Sequence, residues 1–252
     1  MSVMWNPFAV EIAGRGQVHP AHGMEPAELL NGFAQQGNVR CDGVLRLSPK
    51  GGIDIMSARP LPMQLDLTTQ RLLLRPLRAG DADMLWPDIT DPEISRLMAW
   101  DAHTTKEQTA AFVENEVARR LSGNGVTWAI LMDGRFCGIV SLIGIQRTHR
   151  VLTYDKAELA YWVGRSHQRL GIMTEAGRAV LAFAFGQVGL HKVYVSHFAG
   201  NEASCSLIRG LGFRYVGTQL DEFQKDGVWH DHVMYELLDR EHAAIAEEAT
   251  TP

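Results

Sequence analysis

Cysteine is scarce in this chain, and Cys41, Cys137 and Cys205 are widely separated and odd in number. No CxxC pair or zinc-ligand spacing links them, so neither a disulfide framework nor a structural metal site is expected. Long hydrophobic runs are also missing. No stretch reaches the roughly 18 uncharged apolar residues that a membrane-crossing helix needs. The opening residues lack a basic segment followed by an apolar run, which leaves the cytoplasm as the expected compartment. Excess positive charge is absent too: 24 Lys and Arg stand against 29 Asp and Glu, a formal net charge of -5. That balance argues against general affinity for nucleic acid or anionic membranes, and no basic helix or RNP-like aromatic pair reverses it. The chain has no GxSxG elbow, no Walker loop and no GxGxxG turn, so hydrolase and nucleotide-fold readings lack their motifs.

What is present is an ordered alternation of strands and helices. Residues 1–64 form a glycine-rich N-terminal appendage with a helical turn expected at Pro26–Phe33 and extended pieces at Asn38–Leu47 and Ile53–Met56. It could cover a cleft of the main domain or form a dimer contact. The main domain is expected over 65–240, followed by a flexible tail at 241–252. Leu72 and Leu74 alternate with Arg71, Leu73 and Arg75 in a strand ended by Pro76. Asp81 or a neighbour is expected to cap a short helix, and Thr104 or Thr105 starts a longer one, with Thr104 and Glu107 at capping-box spacing and Ala110, Ala111, Val113, Val117 and Leu121 supplying its apolar face. Asp133-Gly134 joins two strands as a hairpin, and a final hairpin crosses Lys225-Asp226-Gly227. The order is strand, two helices, three strands, helix, strand, helix, two strands. That is an α/β domain with a mixed sheet, poorly matched to a doubly wound dinucleotide fold.

The sharpest local signal runs from Gln168 to Ala176, after the strand Glu158–Val163 and at the start of a long helix. Gly171 permits a tight turn and close approach of a ligand to the backbone. Unpaired N–H groups and the helix dipole favour negative charge there, and Arg169 and Arg165 add cationic side chains. A pyrophosphate cradle and a plain strand-to-helix turn are both compatible with this motif alone.

Four segments in order resemble the GNAT superfamily of N-acetyltransferases, specifically its ribosomal-protein-alanine (RimJ/RimL-like) type. They are Arg71-Leu72-Leu73-Leu74-Arg75-Pro76-Leu77, the strand Glu158 to Gly164 with the turn Gln168 to Ala176, Asn201 to Phe213, and Gly227 to Tyr235. Met173 departs from the family's small residue at that position. The resemblance implies a mostly antiparallel sheet flanked by helices, splayed between its fourth and fifth strands. It implies acetyl-CoA as co-substrate and an amine acceptor, either a small molecule or a peptide N-terminus, in a monomer or homodimer.

Carried over residue by residue, the resemblance implies that Tyr161, Trp162 and Val163 hold the pantetheine arm. Gln168, Arg169, Leu170, Gly171, Ile172, Met173 and Thr174 would cradle the pyrophosphate, with Asn201 and Arg209 beside the cofactor. Ser204 would protonate the leaving sulfur, and Glu158 would relay the amine's proton through water. Each has a plainer alternative: Ser204 as a helix-start residue, Glu158 as a strand-end charge paired with Arg165 or Lys156. Tyr161 and Trp162, adjacent on a strand, must face opposite sides, one towards the core. Trp86, Trp100, Asp101 and His197 are the acceptor-side candidates, among acids that include Asp88, Asp91, Glu93, Asp221, Glu222 and Asp231. Cys205 reads as a structural thiol, and His230 with His232 as a wet hairpin face rather than a metal site.

Overall fold

The computed structural model describes residues 43–47, 53–57, 61–149 and 152–250. Its contacts divide the chain into two units, Met1–Pro60 and Leu61–Pro252, each described by itself. In the first, β1 (Gly43–Leu47) pairs antiparallel with β2 (Ile53–Ser57); β1 lies within the stretch expected to be extended, and β2 runs one residue past its own. The helical turn expected at Pro26–Phe33 and Cys41 lie outside the described residues.

The second unit is an eight-stranded sheet ordered β3-β4-β5-β6-β7-β8-β10-β9. Its strands are β3 (Leu67–Thr68), β4 (Leu72–Pro76), β5 (Gly125–Met132), β6 (Arg135–His149), β7 (Leu152–Val163), β8 (Lys192–Phe198), β9 (Arg214–Lys225) and β10 (Val228–Leu238). The hairpin turns are as the Asp-Gly pairs require. Asp133 and Gly134 have φ of 51° and 74°, and Asp226 and Gly227 have 49° and 78°. Both central residues are therefore left-handed, the twist that suits a two-residue hairpin.

Every neighbouring pair in this sheet is antiparallel except β7 and β8. Those two are parallel, and their pairing spans Lys156↔Lys192 to Glu158↔Tyr194 and goes no further. Both strands continue beyond that point, so the sheet opens between Leu159–Val163 and Val195–Phe198. This is the expected splay.

Strand alternation sends apolar side chains to both faces. On one, Leu74, Trp128, Leu142, Leu159 and Val193 pack beneath α4 (Ile172–Ala182) and α5 (Glu202–Gly210). On the other, Ala129, Ile139 and Trp162 meet α1 (Ala82–Ile89), the short α2 (Pro92–Ser95) and α3 (Lys106–Leu121). The two faces thus carry different helices, and the opening between β7 and β8 joins them.

Several local details differ from the sequence reading. Of the two threonines expected to start α3, Thr105 is the cap, and its box partner is Gln108 in place of the Thr104–Glu107 pair. The buried positions of α3 are Thr109, Val113 and Glu116, while Leu121 is exposed, so the helix is turned from the expected face. Glu116 explains the turn: its carboxylate accepts from Thr127 Oγ1 at 2.5 Å and from Arg119 at 2.8 Å, satisfying a charge that burial would otherwise penalise. Asp81 makes no side-chain cap to α1; its carboxylate instead holds Arg75 through two hydrogen bonds of 2.7 and 2.9 Å. The stretch expected as a tail is helical, α6 spanning Asp239–Thr250. Arg214 bonds Glu241, and the His242 ring lies 5.0 Å from Phe185.

Candidate active site

The turn from Gln168 to Gly171 follows the end of β7 and a short 3-10 turn, Arg165–His167. Gln168, Arg169, Leu170 and Gly171 are exposed. Arg169 and Gly171 have φ of 61° and 74°, a left-handed pair that curls the backbone and starts α4 abruptly. The first intrahelical bond runs from Glu175 N–H to Gly171 O at 3.1 Å, so the N–H groups of Ile172, Met173 and Thr174 belong to the unpaired first turn. Met173 points into the core and is 7% exposed, so the departure from a small residue does not crowd the turn.

A brace that sequence reasoning missed holds this turn in place. Arg71 Nε donates to Glu175 Oε2 at 2.7 Å, and both terminal nitrogens of Arg71 donate to Leu170 O at 3.2 Å. Glu175 also accepts from Thr69 Oγ1 at 2.6 Å and from Arg71 N–H at 3.0 Å. Burial alone would raise the Glu175 pKa, but these bonds and the Arg71 charge leave it below the ordinary value. The opening strand is therefore tied to the first turn of α4. Arg71 was visible in the sequence, but only as a motif residue.

On the same face, Tyr161 reaches across the opening. Its hydroxyl lies 2.6 Å from Ser204 Oγ. Burial pushes the Tyr161 pKa up to about 12, despite the opposing hydrogen bond from Ser204, so the phenol stays protonated. Asn201 caps α5 by accepting the Ser204 N–H at 3.1 Å, which fixes where Ser204 stands. Beside them Cys205 Sγ is 3.4 Å from Tyr235 Oη, and Arg209 also interacts with that phenol.

Matching this frame, residues 71–214 fit the family model of the acetyltransferase (GNAT) domain. The chain belongs to the GNAT acetyltransferase family. The Bacillus subtilis protein YdaF, named for ribosomal N-acetyltransferase activity, is 35% identical over 118 residues, 47% of this chain and 62% of that protein. The match thus spans less than two thirds of YdaF. A CoA-bound structure of RimL, a ribosomal L7/L12 alpha-N-protein acetyltransferase, aligns with TM-score 0.64 and 19% identity over 70% of this chain and 98% of that one. A Vibrio cholerae spermidine N-acetyltransferase with CoA and spermine aligns with TM-score 0.61 and 20% identity over 69% of this chain and 99% of that one. Likenesses at that identity show the fold, and two acceptor chemistries share it. The GNAT domain here is an acetyl-CoA-dependent N-acetyltransferase domain.

The opposite face of the GNAT sheet holds a different group. Glu158 is the last paired residue before the opening, on the Trp162 side. Burial raises its pKa, against smaller lowering by a Tyr194 hydrogen bond and the Lys156 charge. Trp162, 5% exposed, is the core-facing member of its pair and lies 6.2 Å from Trp100 and 5.7 Å from Phe136. Asp88 fits against Gly164, where an added Cβ would fall 2.6 Å from Asp88 Oδ1; burial, then Asp91, raises the Asp88 pKa against His167. Arg165 pairs with Asp91 at 3.4 Å and so faces this group instead of standing free beside the cofactor turn.

Other residues are placed differently than expected. His197 alternates with Phe198 and stacks on Tyr235 at 5.6 Å, on the Ser204 side and not with Trp100. Its Nδ1–H donates to Phe198 O at 2.8 Å. His230 stacks on Phe198 at 5.0 Å and His232 meets Phe223 edge-on at 4.9 Å, both histidines half-buried beside the exposed Phe223. Among the described residues no group of His, Cys, Asp and Glu is arranged to hold a metal ion. Trp86 is half-buried on α1, and Asp101 is 88% exposed at the side chain. No helix among the described residues is long and apolar enough to cross a membrane.

Proposed function

We propose that this protein transfers the acetyl group of acetyl-CoA to a cationic primary amine by direct attack in a ternary complex. The observation that carries the reading is the Tyr161–Ser204 hydrogen bond beside the unpaired edge of β7. The pyrophosphate lies on the N–H groups of Ile172 to Thr174, with Gln168, Arg169, Leu170 and Gly171 around it. The pantetheine arm passes through the opening along Tyr161, Trp162 and Val163, whose unpaired main-chain edge supplies hydrogen bonds. Asn201 and Arg209 border the arm from α5.

The amine enters from the Trp162 face. Glu158, whose buried carboxylate is a stronger base than an exposed one, takes a proton from the bound ammonium through a water, and the neutral nitrogen then attacks the thioester carbonyl carbon. The developing oxyanion is met by a main-chain N–H of the β7 edge, with Val163 as the assigned donor. On collapse the carbon–sulfur bond breaks and Ser204 gives its hydroxyl proton to the thiolate. The surplus proton of the new amide nitrogen returns to Ser204 through water, while Tyr161 stays protonated and holds Ser204 Oγ by its hydrogen bond.

Acids flanking the acceptor side, Asp88, Asp91, Asp101 and Glu222, suit a cation. We place the acceptor first among protein or peptide α-amines, as for the RimJ/RimL-like type, with Trp86, Trp100 and Asp101 contacting it. A polyamine is the second reading, supported by the spermidine enzyme's shared fold. Thiol release from acetyl-CoA with Ala- and Ser-initiated peptides, spermidine and an aminoglycoside separates these. Tight CoA binding without turnover of any amine would instead favour a non-catalytic acyl-CoA sensor.

A further inference from the structure

Lys225 stands at the end of β9, at the final hairpin, yet its side chain is only 11% exposed. Its ammonium donates to three main-chain carbonyls of one loop: Ser95 O at 2.7 Å, Met98 O at 3.0 Å and Trp100 O at 2.6 Å. Those bonds match the three protons of the ammonium, and Asp101 Oδ1 lies 3.4 Å away as counter-charge. The loop leaves α2 and leads to α3, and among its residues Trp100 lies against Trp162. Trp162 is flanked in sequence by Tyr161 and Val163 at the open edge of β7.

We propose that Lys225 is a positioning residue for the amine acceptor: it straps the 95–101 loop to the final hairpin and so fixes Trp100 over Trp162 on the acceptor side of the opening. The inference rests on the reading of that face as the acceptor side. The physical case is that the Met98 and Trp100 carbonyls need a donor, whereas Ser95 O also accepts the Met98 N–H at 2.9 Å, and that a buried ammonium needs acceptors. Each satisfies the other. Charge-assisted bonds of this kind are the stronger ones, so the loop's position depends on one side chain carried by an element far away in sequence. The strap contacts neither the Gln168–Thr174 turn nor the Tyr161–Ser204 pair, so acetyl-CoA binding does not depend on it.

The test compares Lys225→Met and Lys225→Arg with the full-length wild-type chain. For the amine that the wild type turns over best, Lys225→Met raises KM about tenfold, the scale of one lost charge-assisted bond. The acetyl-CoA KM stays within about twofold, and Lys225→Arg, which keeps donors for the carbonyls, recovers part of the loss. An unchanged amine KM in Lys225→Met overturns the inference, as does an equal rise in both KM values. If Lys225→Met does not fold, the Lys225→Arg pair decides, because altered reach must move the amine KM and not that of acetyl-CoA. Should no amine turn over in the wild type, the acceptor reading fails by itself. Amide hydrogen exchange then reads the strap: faster exchange across 96–103 in either variant supports it, and wild-type exchange contradicts it.

Discussion

Tyr161 Oη and Ser204 Oγ stand 2.6 Å apart across the opening of the sheet, one on β7 and the other in the first turn of α5. With Tyr161 raised to about 12, the phenol is a hydrogen-bond donor throughout the working pH range. In the proposed mechanism the phenol donates to Ser204 Oγ, which leaves the Ser204 proton free to pass to the sulfur. Ser204→Ala should lower kcat about 100-fold with little change in acetyl-CoA affinity, and Tyr161→Phe should lower it about tenfold. Stopped-flow thiol release with CoA titrations checks both. Equal kcat in Ser204→Ala and the wild type would remove Ser204 from the chemistry.

Glu158 gives a pH signature. It must be ionised to take a proton, and burial raises its pKa, so kcat/KM should rise with pH through a value above that of an ordinary glutamate. Glu158→Gln should lower kcat and abolish that acidic limb. The sign for stability is opposite. A carboxyl whose folded-state pKa is raised stabilises the fold when protonated, and that contribution is lost as pH rises through the folded pKa. Glu158→Gln should therefore have a higher Tm than the wild type at neutral pH. A lower Tm there, with no change in the pH profile, would mark Glu158 as a structural charge.

The Arg71 brace predicts a cofactor-specific defect. Arg71→Ala frees Glu175 and the Leu170 carbonyl, so the acetyl-CoA KM should rise severalfold while the amine KM holds. Gly171→Ala should do the same through strain, since φ is 74° and a side chain there costs about 1–2 kcal/mol. Steady-state kinetics in both substrates separates this from general destabilisation, which would move both.

Gly164→Ala probes the other side. The new Cβ would meet the Asp88 carboxylate at 2.6 Å, so the Asp88 side chain must leave its place against the end of β7. The amine KM should rise more than that of acetyl-CoA. Parallel rises would show that α1 does not shape the acceptor side.

The parts of this fold that local chemistry decides were legible in the sequence. Asp133-Gly134 forced its hairpin and Gly171 its turn, because each is settled within a few residues. The opening of the sheet was implied by family resemblance, and the end of pairing at Glu158 and Tyr194 places it. What could not be read were choices made by distant partners. Asp81 serves Arg75 instead of its helix, and Glu116 turns α3 inward to meet Thr127. Lys225 reaches a loop more than a hundred residues earlier. His197 was assigned to the acceptor side, but alternation with Phe198 carries it to the Tyr235 face.

The most direct measurement is thiol release from acetyl-CoA by the wild-type chain and Ser204→Ala, against peptides with free α-amines, spermidine and an aminoglycoside. Turnover of at least one cationic primary amine that collapses in Ser204→Ala, with CoA binding retained, is the predicted result. Tight CoA binding with no turnover of any amine, or a Ser204→Ala variant as fast as the wild type, would contradict it.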